Sequence, residues 1–149
     1  MGYGFGIWLV YNKSLLSINK HIGHVTLSCF MKENEANNLY NEITHAYGKK
    51  TKIDINGYSA KLFDNTYYKT SENTLHAWGH PVSCEQLDNY KTIISKYNCE
   101  QPHSLHTSVQ YETDINLLVP KFNSKINTEG IIHLVNITSN TPSDWNLIL

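Results

Sequence analysis

Apolar and polar positions change rhythm several times along the chain, and each change marks an element. Residues 3 to 11, YGFGIWLVY, are aromatic and β-branched and predict a strand. A polar connector, NKSLLSINKHIG, leads to HVTLSCF, where the apolar run resumes as a second strand. The rhythm then lengthens. Ala36, Leu39, Tyr40, Ile43, Ala46 and Tyr47 recur at steps of three and four, the spacing of an amphipathic helix, and Gly48 with Lys49 and Lys50 marks its stop. TKIDI reads as a short strand and Asn56-Gly57 as a hairpin turn. YSAKLFDNTYYKT reads as a strand pair or one long bent strand, and NTLHAWGH as the next. Pro81 then introduces a second helix, with Ser83 as N-cap and Leu87, Tyr90, Ile93, Ile94 and Tyr97 on its apolar face. SLHTSVQY, IIHLVNI and DWNLIL read as three further strands.

This order gives an α+β class, with helices packed outside antiparallel sheet. The 149 residues fit one domain, and no linker or low-complexity tract divides it. Composition narrows the function classes. A formal net charge of −1 supplies no basic field for duplex nucleic acid, although a local pocket for one or two phosphates stays open. No apolar run approaches the roughly 20 residues that span a bilayer. MGYGFG lacks the pattern of a secretory leader or a myristoylation signal, so the expected location is cytoplasmic. Cys29, Cys84 and Cys99 form no C-x-x-C, which argues against a zinc ribbon or a disulfide framework and fits a reducing compartment.

Within the strand-like runs one chemistry repeats. His24 and Thr26 lie two apart in HVTLSCF, and His106 and Ser108 lie two apart in SLHTSVQY. Residues at i and i+2 of a strand share a face, so each run presents an imidazole beside a hydroxyl. With 8 histidines in the chain, roughly one H-x-[ST] match is expected by chance, so the pattern alone carries little weight. Placement carries more: one pair precedes the first helix and the other follows the second, as in a duplicated unit. Two imidazoles facing a gap suffice for general base and general acid near neutral pH. Two hydroxyls beside them suit the non-bridging oxygens of a phosphodiester, which gain charge in the transition state. The plainer reading of each pair is polar residues on the solvent side of half-buried strands.

His24-Val25-Thr26-Leu27 and His106-Thr107-Ser108-Val109, with the order strand, motif, helix, central strands, helix, motif, strands, resemble the 2H phosphoesterases, the LigT-like or cyclic phosphodiesterase superfamily. The resemblance covers nearly all of residues 1–149. It implies a single bilobal domain, two pseudo-symmetric lobes of antiparallel sheet around a central groove, with two helices outside. It also implies a phosphodiesterase that needs no metal or other cofactor. His24 and His106 would be catalytic, and Thr26 and Ser108 would bind phosphate. The substrate would be a small nucleotide, foremost a cyclic dinucleotide or cyclic oligonucleotide of antiviral signalling, as for compact viral members acting in a host cytoplasm. The alternatives are 2′-5′-oligoadenylates, 2′,3′-cyclic phosphate RNA ends, or a nucleotide-binding sponge without turnover. No duplex or membrane partner is implied, and a monomer is favoured.

The other candidates are weaker. Tyr11 and Trp145 are candidates to stack on a nucleobase, against a core role for each. Trp8 and Trp78 read as packing residues. His76 and His80 are four apart without carboxylate or cysteine company, and His80 before Pro81 reads as part of a turn, so no metal site is expected. His21 and His103 flank the motifs as loop residues, His45 lies late in a helix, and Lys49, Lys50 and Lys52 read as a solvated face.

Overall fold

A computed structural model describes residues 2–15, 22–55, 60–70, 73–102, 104–112, 116, 126–139 and 144–149. The Asn56-Gly57 turn, His21 and His103 lie outside the described residues, as does the side chain of Trp78. The chain runs β1 (Phe5–Leu15), β2 (Ile22–Met31), α1 (Glu33–Tyr47), β3 (Lys50–Ile55), β4 (Ala60–Thr70), β5 (Asn73–Cys84), α2 (Leu87–Ile94), β6 (His106–Glu112), β7 (Ile126–Asn136) and β8 (Asn146–Leu147). The class is α+β, as the sequence pattern indicates.

Among the described residues all strand pairings are antiparallel. Strands follow one another in the order β2-β1-β7-β3-β5-β4, with β6 on β5 and β8 on β7. β6 also lies alongside β2, and Cys29 exchanges backbone hydrogen bonds with Glu100 at 2.9 and 3.0 Å. The sheet therefore curls until its ends nearly meet.

Alternation sorts each strand into two faces. Ile7 and Leu9 of β1, Val25 and Leu27 of β2, Ile53 and Ile55 of β3, Val82 of β5, and Ile132 and Leu134 of β7 all enter one buried cluster. Ala36, Leu39, Tyr40 and Ile43 of α1 and Tyr90, Ile93 and Ile94 of α2 complete it. This is the helix-covered face. The face turned away from the helices holds a second, smaller cluster of Trp8, Val10, Val135, Ile137 and Trp145.

Helix α1 has the predicted stop, and Ala36, Leu39, Tyr40 and Ile43 of the predicted apolar face are buried, whereas Ala46 and Tyr47 in its last turn are exposed. Gly48 has φ 77° and ψ −173°, a conformation open to glycine that takes the chain out of the helix, and its N–H donates to Thr44 O at 2.9 Å. The second helix departs from the prediction. Pro81, Val82 and Ser83 remain in β5, because Pro81 stands opposite His106 on one side and Val82 to Cys84 pair with β3 on the other. α2 begins only at Leu87, and Ser83 is an exposed strand residue rather than its cap. His80 is likewise not in a turn; it is 1% exposed within β5. Lys50 and Lys52 lie in β3 and Lys49 just before it, all three exposed, which is the solvated face the sequence indicates.

Candidate functional site

β1 lies between β2 and β7, and its register fixes what stands beside each motif residue. Val10 is opposite His24 and Trp8 is opposite Thr26. On the other side Val10 meets Ile131, and Trp8 meets His133. Because Val25 and Leu27 point into the helix-covered core, His24 and Thr26 point away from it. The same argument orients the second motif. His80 and Thr107 are opposite one another, and Val82, two residues on, is in the helix-side core. Pro81 with His106, and Gly79 with Ser108, therefore occupy the far face. Both imidazole–hydroxyl pairs lie on the same face of the sheet, on β2 and on β6, the two strands where the sheet nearly closes.

His24 is 4% exposed. Its ring stacks on Trp8 with centroids 3.5 Å apart and planes 12° from parallel. The Trp145 ring meets it edge-on at 6.4 Å. A ring nitrogen facing a carbonyl acts as donor, so His24 Nδ1–H donates to Ile22 O at 2.6 Å. The neutral ring then carries its lone pair on Nε2. His106 repeats the arrangement: its Nδ1–H donates to Ser104 O at 3.0 Å. In each motif the histidine is pinned by the carbonyl two residues before it, and each is held in the same tautomer. Burial pushes the His106 pKa below the ordinary value, opposed by the bond to Ser104. The ring is thus biased toward its neutral, proton-accepting form.

The hydroxyls differ in cover. Ser108 is buried opposite Gly79, whereas Thr26 is half-buried beside Trp8.

Tyr11 is not on this face. It packs against the helix-side core, and its hydroxyl bonds Thr107 Oγ1 at 2.7 Å. As residue 11 alternates with Val10, its ring is turned from His24, and it acts as a strut between β1 and β6 instead of a base platform. Trp145 is on the far face, but it is 9% exposed, in edge contact with Trp8 at 5.9 Å, and its indole N–H donates to Ser139 O at 2.9 Å. It packs behind His24 rather than standing open.

His133 shares this face, in register with Trp8 and Thr26, and its Nδ1–H donates to Leu149 O at 2.6 Å. The sequence reading did not single it out. The available signal was the same one that flagged His24: a polar residue at the alternating position of an apolar run, IIHLVNI.

Other chemistries find less support. Cys29, Cys84 and Cys99 are free thiols, and burial, with Glu100 and Cys99 nearby, pushes Cys29 up to about 12, far from a thiolate nucleophile. Among the described residues no three His, Cys, Asp or Glu side chains cluster closely enough to hold a metal ion, and no helix is long and apolar enough to cross a membrane. In comparisons with known proteins, no family model and no curated sequence matches the chain.

Proposed function

We propose that the protein is a phosphodiesterase of the 2H type, with two lobes about a groove, acting on small nucleotides without a metal. The observation that carries this reading is the repeated histidine geometry. Two segments more than 80 positions apart each place an imidazole on the same sheet face, pin its Nδ1 with the carbonyl two residues back, and set a hydroxyl two residues on. A structural histidine needs one such anchor. Duplication of the anchor, the tautomer and the neighbouring hydroxyl fits a reaction with two proton transfers.

In this mechanism His106, whose pKa burial lowers, takes the proton from the attacking water or ribose hydroxyl. His24, entering the cycle as the imidazolium, keeps Nδ1–H on Ile22 O and delivers its Nε2 proton to the leaving ribose oxygen. The Trp8 indole beneath it presents a negative π-face to the protonated ring. Thr26 and Ser108 donate hydrogen bonds to the non-bridging oxygens as charge builds there. The preferred substrates are cyclic dinucleotides and cyclic oligonucleotides, consistent with a viral protein that removes nucleotide immune signals.

The test is incubation with 2′-5′-oligoadenylate, 2′,3′-cyclic AMP and several cyclic dinucleotides, with products read by mass. Turnover in EDTA is expected for at least one, reduced about 100-fold or more by His24→Ala and by His106→Ala. Full activity in either variant, or loss of activity on chelation, overturns the assignment. One observation favours a second reading, a nucleotide-sequestering module: His24 is almost wholly covered by Trp8 and its neighbours. Tight binding with the ligand recovered unchanged in both mass and chromatographic retention selects that reading, because attack by a ribose hydroxyl opens a ring without changing its mass.

A further inference from the structure

On the far face of β3, β5 and β7 lies a cavity of about 790 Å³, within the range of small-molecule sites. Its lining includes Lys52, Asp54, Ser83, Glu85, Asn127 and Glu129. Register explains why five of these residues stand side by side, with Glu85 just beyond the end of β5. Glu129 is opposite Lys52, and Glu85 N–H donates to Lys52 O from the other side. Asn127 is opposite Asp54, which is opposite Ser83. Their alternate neighbours Thr51, Ile53 and Ile55 are buried toward the helices, so this polar row is on the same face as the two motifs.

The cavity also adjoins the second motif. Ser83 is two residues along β5 from Pro81, about 7 Å, and Pro81 is directly opposite His106. A molecule whose phosphate rests at His106 and Ser108 would extend its next group into this space.

We propose that the cavity holds the nucleobase next to the scissile phosphate, and selects a base carrying an exocyclic amino group over one with a carbonyl in its place. This rests on the phosphodiesterase reading above. Charge excludes a second phosphate: three carboxylates against one ammonium leave a local excess of two negative charges among these six side chains. Carboxylates only accept hydrogen bonds. They suit the exocyclic amino groups of adenine and cytosine; uracil and hypoxanthine present at that position a carbonyl oxygen that carboxylates repel, and offer only the neighbouring ring N–H as a donor. Lys52, between Glu129 and Glu85, is placed to donate to a ring nitrogen or carbonyl beside the amino group.

The test uses matched pairs differing only in amino against carbonyl: AMP against IMP and CMP against UMP as ligands, and the adenine against the hypoxanthine cyclic dinucleotide as substrates. The wild-type protein is expected to prefer the amino member about tenfold, one hydrogen bond to a charged group. The triple variant Asp54→Asn, Glu85→Gln and Glu129→Gln changes exposed side chains and is expected to lose that preference, read as equal Kd and equal kcat/KM for the two members of each pair. Equal binding of the two members, or a preference that survives the triple variant, overturns the proposal. Calorimetric titration of the monophosphates into His106→Ala separates the two readings. Amino-selective binding without wild-type turnover upholds the cavity and sinks the enzyme; turnover without selectivity does the reverse.

Discussion

The two halves of the site have the same chemistry in different settings. His24 is clamped: an indole flat against one face, a second indole at its edge, a carbonyl on Nδ1 and 4% exposure. His106 has the equivalent carbonyl but is only half-buried, with Pro81 opposite on the adjoining strand. The lesson is that equivalent backbone placement does not impose equivalent surroundings. The strand pairing sets where each imidazole points, and the neighbouring strands decide how firmly it is held. β1 supplies Trp8 to the first motif; β5 supplies Gly79 and Pro81 to the second.

Removing the clamp should separate the halves most sharply. Trp8→Ala deletes a fully buried ring and is expected to cost about 3–5 kcal/mol in chemical denaturation. The loss should fall on His24, with its NMR signal shifted and that of His106 unmoved; equal disturbance of both would erase the distinction. Next come the hydroxyls. Thr26→Ala and Ser108→Ala should each cost on the order of 1–3 kcal/mol in transition-state binding, read from kcat/KM. The buried Ser108 is expected to show the larger effect, and equal losses would mean that cover does not matter. A smaller change follows from Tyr11→Phe, which leaves Thr107 without its phenol partner. A loss of about 1 kcal/mol in stability is expected, with kcat unaltered. A fall in kcat would mean that the strut also sets the spacing of the motifs.

The smallest expected effect is in pH. The folded His106 pKa is depressed, so below the unfolded value of about 6.5 the unfolded chain binds the proton more readily. Stability is therefore full above that value and declines as pH falls through it toward the folded pKa. Melting temperature should drop on acidification from pH 7, and less so in His106→Asn; an identical slope in the variant would refute the assignment.

Much of this was legible in the residue pattern because local rules governed it. The spacing of Leu39, Tyr40 and Ile43 and the glycine at 48 defined α1, and alternation in HVTLSCF and SLHTSVQY put each histidine beside its hydroxyl. The failures occurred where distant chain decided. Pro81 and Ser83 have the local look of a helix start, yet β3 and β6 claim that segment as strand. Tyr11 sits one residue from the far face, and only the position of Thr107 reveals that its hydroxyl is used elsewhere. The carbonyls of Ile22 and Ser104 are backbone atoms with no sequence signature at all. The cavity residues escaped notice because Lys52, Asp54 and Glu129 look like an ordinary wet strand surface until three strands are laid side by side.

The paired amides and carbonyls of Cys29 and Glu100 have an effect beyond architecture. β2 ends the run of neighbouring strands, and an end strand with unused hydrogen-bonding groups invites the chains of other molecules to add on. Here part of that margin is occupied by the protein's own segment before β6. The strand that carries His24 is thereby shielded from self-association into fibrous aggregates.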